Sequence, residues 1–272
     1  MSMRPSSFDL LLVLSLALSA CIYGRGARLL WRGGEIQHAS ALWQAAAFAA
    51  AWIFLAVALI GPLPSLSEHL FTAHMIQHEI LMAAAAPLIA LSRPVDTMLA
   101  ALPKVARTPL LGAFDATWIL IFWKWLARPA NATILHGIAI WIWHAPRLFD
   151  AAVENPILHH VQHLFFFTTA LLFWWSLFRR ARESFGAGAL EVALTMVHTS
   201  VLGALIALSP HVLYVAQTRD SAAFGLSPMD DQQLGGLIMW VPAGTIYAGI
   251  ALALLGLWIR CGSGKSSASY AE

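Results

Sequence analysis

Residues 69–91 read HLFTAHMIQHEILMAAAAPLIAL. As a helix, this apolar run is long enough to cross the roughly 30 Å hydrocarbon core of a bilayer. Similar runs recur along the chain, in which 59% of the residues are hydrophobic and only 11% are charged. A soluble globular surface cannot carry that composition. We therefore predict a polytopic, all-α membrane protein.

Seven stretches are apolar enough to span a membrane. They are Phe8 to Tyr23, Ala41 to Gly61, His69 to Leu91, Ala130 to Ala145, Ile157 to Phe178, Gly188 to Leu208 and Gln232 to Ile259. The first and fourth are the shortest. We predict one seven-helix transmembrane domain over residues 1–261. The Ser-rich residues 262–272 then form a short flexible cytoplasmic tail.

The distribution of lysine and arginine predicts the orientation, because short loops rich in these residues stay cytoplasmic. With the N-terminus outside and the C-terminus in the cytoplasm, 13 of the 16 basic residues lie inside. Only Arg4, Arg147 and Arg219 lie outside. A full span over 117–126 would reverse the later helices and destroy this asymmetry. We therefore predict that residues 117–126, with three tryptophans, form an interfacial cytoplasmic helix.

The two cysteines encode neither a disulfide framework nor a thiolate metal clip, because they lie far apart without a C-x-x-C spacing. Leu18 to Cys21 does resemble the cleavage box of a lipoprotein signal. However, only Arg4 precedes the first apolar run, whereas Arg25, Arg28 and Arg32 follow it. This order favours a retained span.

Histidines concentrate at one membrane face. On the predicted topology nine of the eleven lie in the outer half of the bilayer or outside it, and only His38 and His136 lie toward the cytoplasm. Two H-x-x-x-H pairs begin separate spans, and this spacing stacks two imidazoles on one helix face. Ionisable groups inside a membrane are costly and usually mark a functional site. The pattern predicts a metal or haem site.

The predicted ligand set draws on four spans. Its core is the two pairs, and one further histidine completes it, while an acid orients a ligand or attracts the cation. The candidate metal-site residues are His74, His78, His159, His163, His144, His198 and Asp231, with Met75, Met82 and His160 as assisting groups. The alternative for a single histidine is an interhelical hydrogen bond. For each methionine the alternative is core packing.

Imidazole with thioether suits copper better than magnesium or calcium, which prefer oxygen ligands. Zinc remains chemically compatible. The order H-M-I-Q-H-E at 74–79 is not the H-E-x-x-H of a zinc peptidase, so we expect no enzyme. Haem is the main rival, because histidines from different helices can supply both axial ligands to one iron.

Several spaced motifs resemble the polytopic, seven-span CtaG-type cytochrome c oxidase assembly factors of bacteria. They are HMIQH at 74–78, IWHAP at 142–146, HHVQHLF at 159–165, DDQQL at 230–234 and MWVPAG at 239–244. The similarity covers about residues 62–256. The aromatic stretch from Trp118 to Trp125 and the doubled histidine at 159–160 depart from the family pattern, and the second leaves open which imidazole matches.

This resemblance implies a role in maturing haem-copper oxidases through copper delivery, at the bacterial cytoplasmic membrane. The implied partners are oxidase subunits, an extracytoplasmic copper chaperone and membrane lipid, with no nucleic acid. Three alternatives stay open: a haem-binding oxidoreductase or electron carrier, a metal-free assembly scaffold, and a copper transporter. The last is disfavoured because metal-binding residue types thin out toward the cytoplasmic half.

Overall fold

The computed structural model describes residues 7–34, 38–114 and 117–269 as a helical bundle with no strand in those ranges. This confirms the predicted fold class. The helices are α1 Ser7–Arg32, α2 His38–Leu59, α3 Pro62–Ser67, α4 Phe71–Glu79, α5 Ala86–Leu91, α6 Pro94–Ala101, α7 Lys104–Phe114, α8 Thr117–Leu126, α9 Pro129–Trp143, α10 Pro146–Glu154, α11 Pro156–Glu183, α12 Phe185–Ala207 and α13 Pro228–Ser269.

Six helical segments are long and apolar enough to cross a membrane. They are Leu10–Arg32, Ala39–Leu59, Phe71–Leu91, Pro156–Ala181, Phe185–Ala207 and Pro228–Cys261. The predicted fourth span corresponds to α9, whose 15 residues extend only about 22 Å and fall short of a full crossing. Lys104–Gly112 and Thr117–Leu126, bent by 80°, would make a seventh span if they crossed together. We keep the interfacial position of α8 as a prediction.

Two helices run further than the sequence pattern predicts. α1 does not stop near residue 23 but continues to Arg32, because Ala27, Leu29 and Leu30 maintain helix-forming character among the arginines. α13 continues as helix to Ser269, and residues 270–272 lie outside the described ranges.

The central span joins α4, a π-helical turn over Ile80–Ala85, and α5 into one rod. Pro87 explains the irregular turn, because its ring would clash with the carbonyl four residues earlier in a regular α-helix. The Trp174 indole N–H donates to the Met82 carbonyl inside this turn at 2.8 Å. This bond joins α11 to the central span just below the first histidine pair.

Small residues bring α12 and α13 into backbone contact. A Cβ added to Gly236 would lie 2.5 Å from Ala207 N, and one added to Gly203 would lie 2.9 Å from Gly236 O. Gly235 likewise admits the Phe71 ring, which a Cβ would approach to 2.3 Å. Close approach at small residues is the usual way in which membrane helices gain packing contacts. It places α13 directly against α4.

The loop between α12 and α13 closes one end of the bundle. Tyr214 donates its hydroxyl to the His144 carbonyl at 2.8 Å, and Gln217 donates its amide to the Ser67 carbonyl at 2.6 Å. The loop therefore spans the ends of α3 and α9. The histidine pairs begin at this same end.

Candidate metal centre

The two H-x-x-x-H pairs meet in one cluster. Within each pair the ring centroids are 4.3 Å apart. Across the helices, the centroid distances are 5.1 Å from His74 to His159, 5.7 Å from His74 to His163 and 5.1 Å from His78 to His163. The ligand nitrogens of His74, His78 and His163 all lie within 4.8 Å of one another. The third and fifth predicted spans therefore contact each other through these histidines.

Caps at the starts of α4 and α11 position the pairs. Asn155 caps α11, and its side-chain oxygen accepts from Ile157 N at 3.0 Å and Leu158 N at 3.2 Å. Pro156 occupies the first turn, where its missing N–H costs no hydrogen bond. The pair at 159 and 163 consequently lies on the first two turns of a well-defined helix.

Asp231 caps α4 from the start of α13. Its buried carboxylate accepts from Phe71 N at 2.8 Å, Thr72 N at 2.9 Å, Thr72 Oγ1 at 2.7 Å and Ser221 Oγ at 2.7 Å. Four donors satisfy both oxygens, and a negative charge at a helix N-terminus is favourable. The geometry gives Asp231 a positioning role one turn before His74.

His144 extends the cluster from the end of α9. Its ring centroid is 5.8 Å from that of His78. The ring Nδ1 lies 2.7 Å from the Ile140 carbonyl, which can only accept, so Nδ1 carries the proton. Nε2 then presents its lone pair. A metal-binding histidine is commonly oriented in this way by its other nitrogen.

The cluster leaves many buried nitrogens without hydrogen-bond partners. Both ring nitrogens of His74 and His78 are unpartnered, and so is Nε2 of each of His144, His159 and His163. The Ser67 backbone and the Gln162 side chain lie beside His74, and Gln162 Oε1 itself lacks a partner. An unpaired buried polar group costs about 1–3 kcal/mol. Five imidazoles with seven such atoms are typical of a site that binds a cation.

Aromatic rings surround the imidazoles. Phe149 lies 4.9 Å from His74, and Phe166 lies 4.6 Å from His78 and 5.3 Å from His144, between ring centroids. His74, His78 and His144 are buried, whereas His159 is partly exposed and His160 is exposed. The site is therefore closed on the bundle side and open beside His159.

Other predicted site residues lie elsewhere. His198 belongs to α12, and its Nδ1 accepts from the Trp141 indole N–H at 3.4 Å. His160 turns its Nδ1 to the Pro156 carbonyl. Met75 packs against Gly235 on α13, and Met82 belongs to the same apolar core. Of these residues, His160 stays next to the cluster, with its ring centroid 6.2 Å from that of His159.

Gln162 and Tyr214 were not predicted from the sequence. Gln162 is buried among the histidines, and its amide donates to the Trp143 carbonyl at 3.3 Å. Its position between His159 and His163 is the only feature of the sequence that indicates a place in the site. Tyr214 lies in the loop between α12 and α13, without a recognisable motif, so its contact with His144 required the tertiary structure.

An acidic group lies next to Tyr214 outside the spanning helices. Burial raises the pKa of the Asp150 carboxyl, and repulsion by Glu154 adds to that rise, although the Ala216 N–H lowers the value somewhat. Burial also raises the pKa of Tyr214, with Asp150 as a further cause. The Tyr214 hydroxyl consequently stays protonated and keeps donating to His144.

The fold and this cluster define a multi-pass membrane protein with a buried group of histidines that could hold a metal ion. The family model of the cytochrome c oxidase caa3 assembly factor (Caa3_CtaG) matches residues 21–261. The chain belongs to this family, which confirms the resemblance seen in its motifs. No curated protein and no solved structure matches the chain significantly.

Proposed function

We propose that this assembly factor binds copper in the cluster of His74, His78, His144, His159 and His163, and presents it to a haem-copper oxidase subunit. The observation that carries the proposal is the convergence of three ligand nitrogens within 4.8 Å, all buried or partly buried and all unpartnered. Nitrogens so arranged can bind one cation without moving either helix.

The donor set favours copper over hard cations. The predicted acidic group, Asp231, already accepts four hydrogen bonds, and the unpartnered atoms of the cluster are imidazole nitrogens. Imidazole suits copper or zinc and does not suit magnesium or calcium. The family points to copper, because a haem-copper oxidase needs that metal. Methionine sulfur is not required, since Met75 packs against Gly235 of α13.

The shape of the cluster argues against haem. A porphyrin held by two axial histidines must pass between their imidazoles. Here neighbouring imidazoles are packed together, and Phe149 and Phe166 pack against His74 and His78. A single small ion fits this arrangement better than a macrocycle.

The open side beside His159 supports transfer by ligand exchange. Copper would arrive from an extracytoplasmic chaperone through the exposed His160 and partly exposed His159, and would leave the same way toward the oxidase subunit. The deeper His74, His78 and His163 would hold it in between. This role requires no catalysis, and it places the protein in the bacterial cytoplasmic membrane with the cluster on the outer side.

Metal analysis together with an optical spectrum tests this function. Detergent-purified wild type is compared with a His78→Ala, His163→Ala variant, after anaerobic loading with Cu(I) and desalting. The matched control is His69→Ala, His211→Ala, which removes two exposed outer histidines. We expect copper near one equivalent in wild type and control, little in the cluster variant, and no Soret band.

Two outcomes would overturn the proposal. A Soret band that disappears in the cluster variant would make the protein a haem carrier. Equal copper in all three proteins, or copper in none, would leave a scaffold whose histidines serve only helix packing.

A further inference from the structure

A second pair of histidines lies deeper in the bundle, between α9 and α12. His136 is fully buried and His198 is partly buried, and a Cβ on Gly137, next to His136, would lie 3.3 Å from His198 Nε2. His136 precedes His144 by eight residues, which is about 12 Å along a helix. Each imidazole has a buried Nε2 with no hydrogen-bond partner. The copper cluster does not use either residue.

The partner of His198 fixes its tautomer. The Trp141 indole is only a donor, and its N–H points to His198 Nδ1 at 3.4 Å. Nδ1 must therefore carry the lone pair. In neutral His198 the proton consequently resides on Nε2, which is a buried donor without an acceptor.

The partner of His136 fixes the opposite tautomer. Its Nδ1 lies 3.1 Å from Thr169 Oγ1, and that hydroxyl donates its only hydrogen to the Phe165 carbonyl at 2.7 Å. The hydroxyl can then only accept from His136, so Nδ1 carries the proton. His136 Nε2 is a buried acceptor without a donor.

We propose that His136 and His198 bind a single water molecule, which accepts from His198 Nε2–H and donates to His136 Nε2. One water satisfies both nitrogens, as buried waters generally do for polar groups that lack protein partners. Gly137 keeps the space around the pair, because a Cβ there would lie 3.3 Å from His198 Nε2.

The same tautomers make the pair unsuitable for a metal ion. A shared ion needs a lone pair from each Nε2, but a lone pair on His198 Nε2 would put a proton on Nδ1, facing the Trp141 N–H. If the proposed copper function holds, His136 and His198 do not give copper a second binding site deeper in the bundle than His144. It therefore loads and leaves at the same end of the bundle, as in delivery rather than transport.

Nitrogen-15 NMR of histidine-labelled protein in lipid nanodiscs tests this inference without depending on copper binding. Resonances are assigned with His136→Gln and His198→Gln variants. We expect a Nδ1-protonated His136 and a Nε2-protonated His198, and neither signal should move with two equivalents of Cu(I). In the Trp141→Phe variant, His198 should be a mixture of the two tautomers. Trp240→Phe, which changes another partly exposed tryptophan in a spanning helix, should leave the His198 tautomer unchanged.

Three results would overturn the inference. Identical tautomers in both residues would remove the donor–acceptor complementarity. A scalar coupling between the two Nε2 atoms would show a direct hydrogen bond without water. A Cu(I)-dependent shift of either residue would show a second metal station. If the protein binds no copper at all, the NMR experiment still tests the tautomer assignment, because that assignment does not depend on copper.

Discussion

At the residue scale, the cluster depends on groups that orient imidazoles as much as on the imidazoles themselves. The Ile140 carbonyl sets the His144 tautomer, the Asn155 amide fixes the first turn of α11, and the Asp231 carboxylate fixes the first turn of α4. Sequence spacing predicts the two histidine pairs, because i,i+4 neighbours share a helix face whatever the tertiary fold. It assigns His198 to the cluster by depth in the membrane and Asp231 by the family motif, and neither reveals which side of a helix faces which neighbour.

Replacing Asp231 should separate stability from metal binding. In Asp231→Ala the buried N–H groups of Phe71 and Thr72 lose their acceptor, and each unsatisfied group costs about 1–3 kcal/mol. We expect a clearly lower midpoint temperature of thermal unfolding in detergent. At temperatures below that midpoint, the variant should bind as much copper as wild type. The unfolding midpoint of Asp231→Asn, which retains an acceptor oxygen, should lie between those of wild type and Asp231→Ala. Lost copper with unchanged unfolding would instead make Asp231 a ligand.

The Asp150 carboxyl should make the folded protein less stable as the pH rises and the carboxyl ionises. Because burial raises its pKa in the folded state, the folded protein binds this proton more tightly than the unfolded chain does, and stability falls as the carboxyl ionises. We expect Asp150→Asn to unfold at a higher temperature than wild type at neutral pH, with the difference shrinking as the pH falls through the ordinary carboxyl range. A difference that does not vary with pH would contradict this account.

At the element scale, helix ends and helix crossings determine the geometry of the site. The sequence predicts most spanning helices from apolar length, but α9 is too short for a full crossing and α1 is longer than its apolar run. The extension of α1 follows from helix propensity and not from hydropathy, whereas the shortness of α9 is already visible in its 16-residue apolar run. The π-helical turn next to His78 likewise depends on Pro87 within a packed rod.

The cap of α11 should affect copper affinity. Asn155→Ala removes the acceptor for Ile157 and Leu158, which typically costs about 1 kcal/mol, and it loosens the turn that bears His159. We expect weaker Cu(I) affinity at unchanged stoichiometry, measured by competition with a chromophoric chelator. Ser184 caps α12 away from the cluster by accepting from Ala187 N at 3.3 Å. Ser184→Ala should cost similar stability and leave the affinity unchanged; an equal loss in both variants would refute the specific effect.

The α12–α13 crossing should not tolerate a side chain at Gly236. A Cβ there would lie 2.5 Å from the Ala207 backbone nitrogen, so Gly236→Ala must separate the helices. We expect a marked fall in the unfolding temperature, of the size of overpacked cores at about 1–3 kcal/mol. Gly249→Ala meets nothing within 4 Å and should be neutral or slightly stabilising. Equal stability of both variants would mean that the crossing is looser than described.

At the scale of the whole molecule, the bundle brings the histidine cluster to one end and leaves that end partly open. α4 and α11 supply the paired imidazoles, α9 adds His144, and the loop before α13 covers the site through Tyr214. The sequence predicts the membrane class, the bundle and the family, all of which are now established. It does not show that α4 and α11 touch, because apolar helices carry little information about which neighbour they pack against.

The most direct test of a single shared site is a double-mutant cycle for Cu(I) affinity between His78 on α4 and His163 on α11. Affinities are measured by chelator competition for wild type, His78→Ala, His163→Ala and the double variant. If the helices share one ion, each single change removes most of the affinity and the double change adds little more, so that the two effects are strongly non-additive. Additive losses, or one copper lost per single variant and two in the double, would show two separate sites and contradict the account.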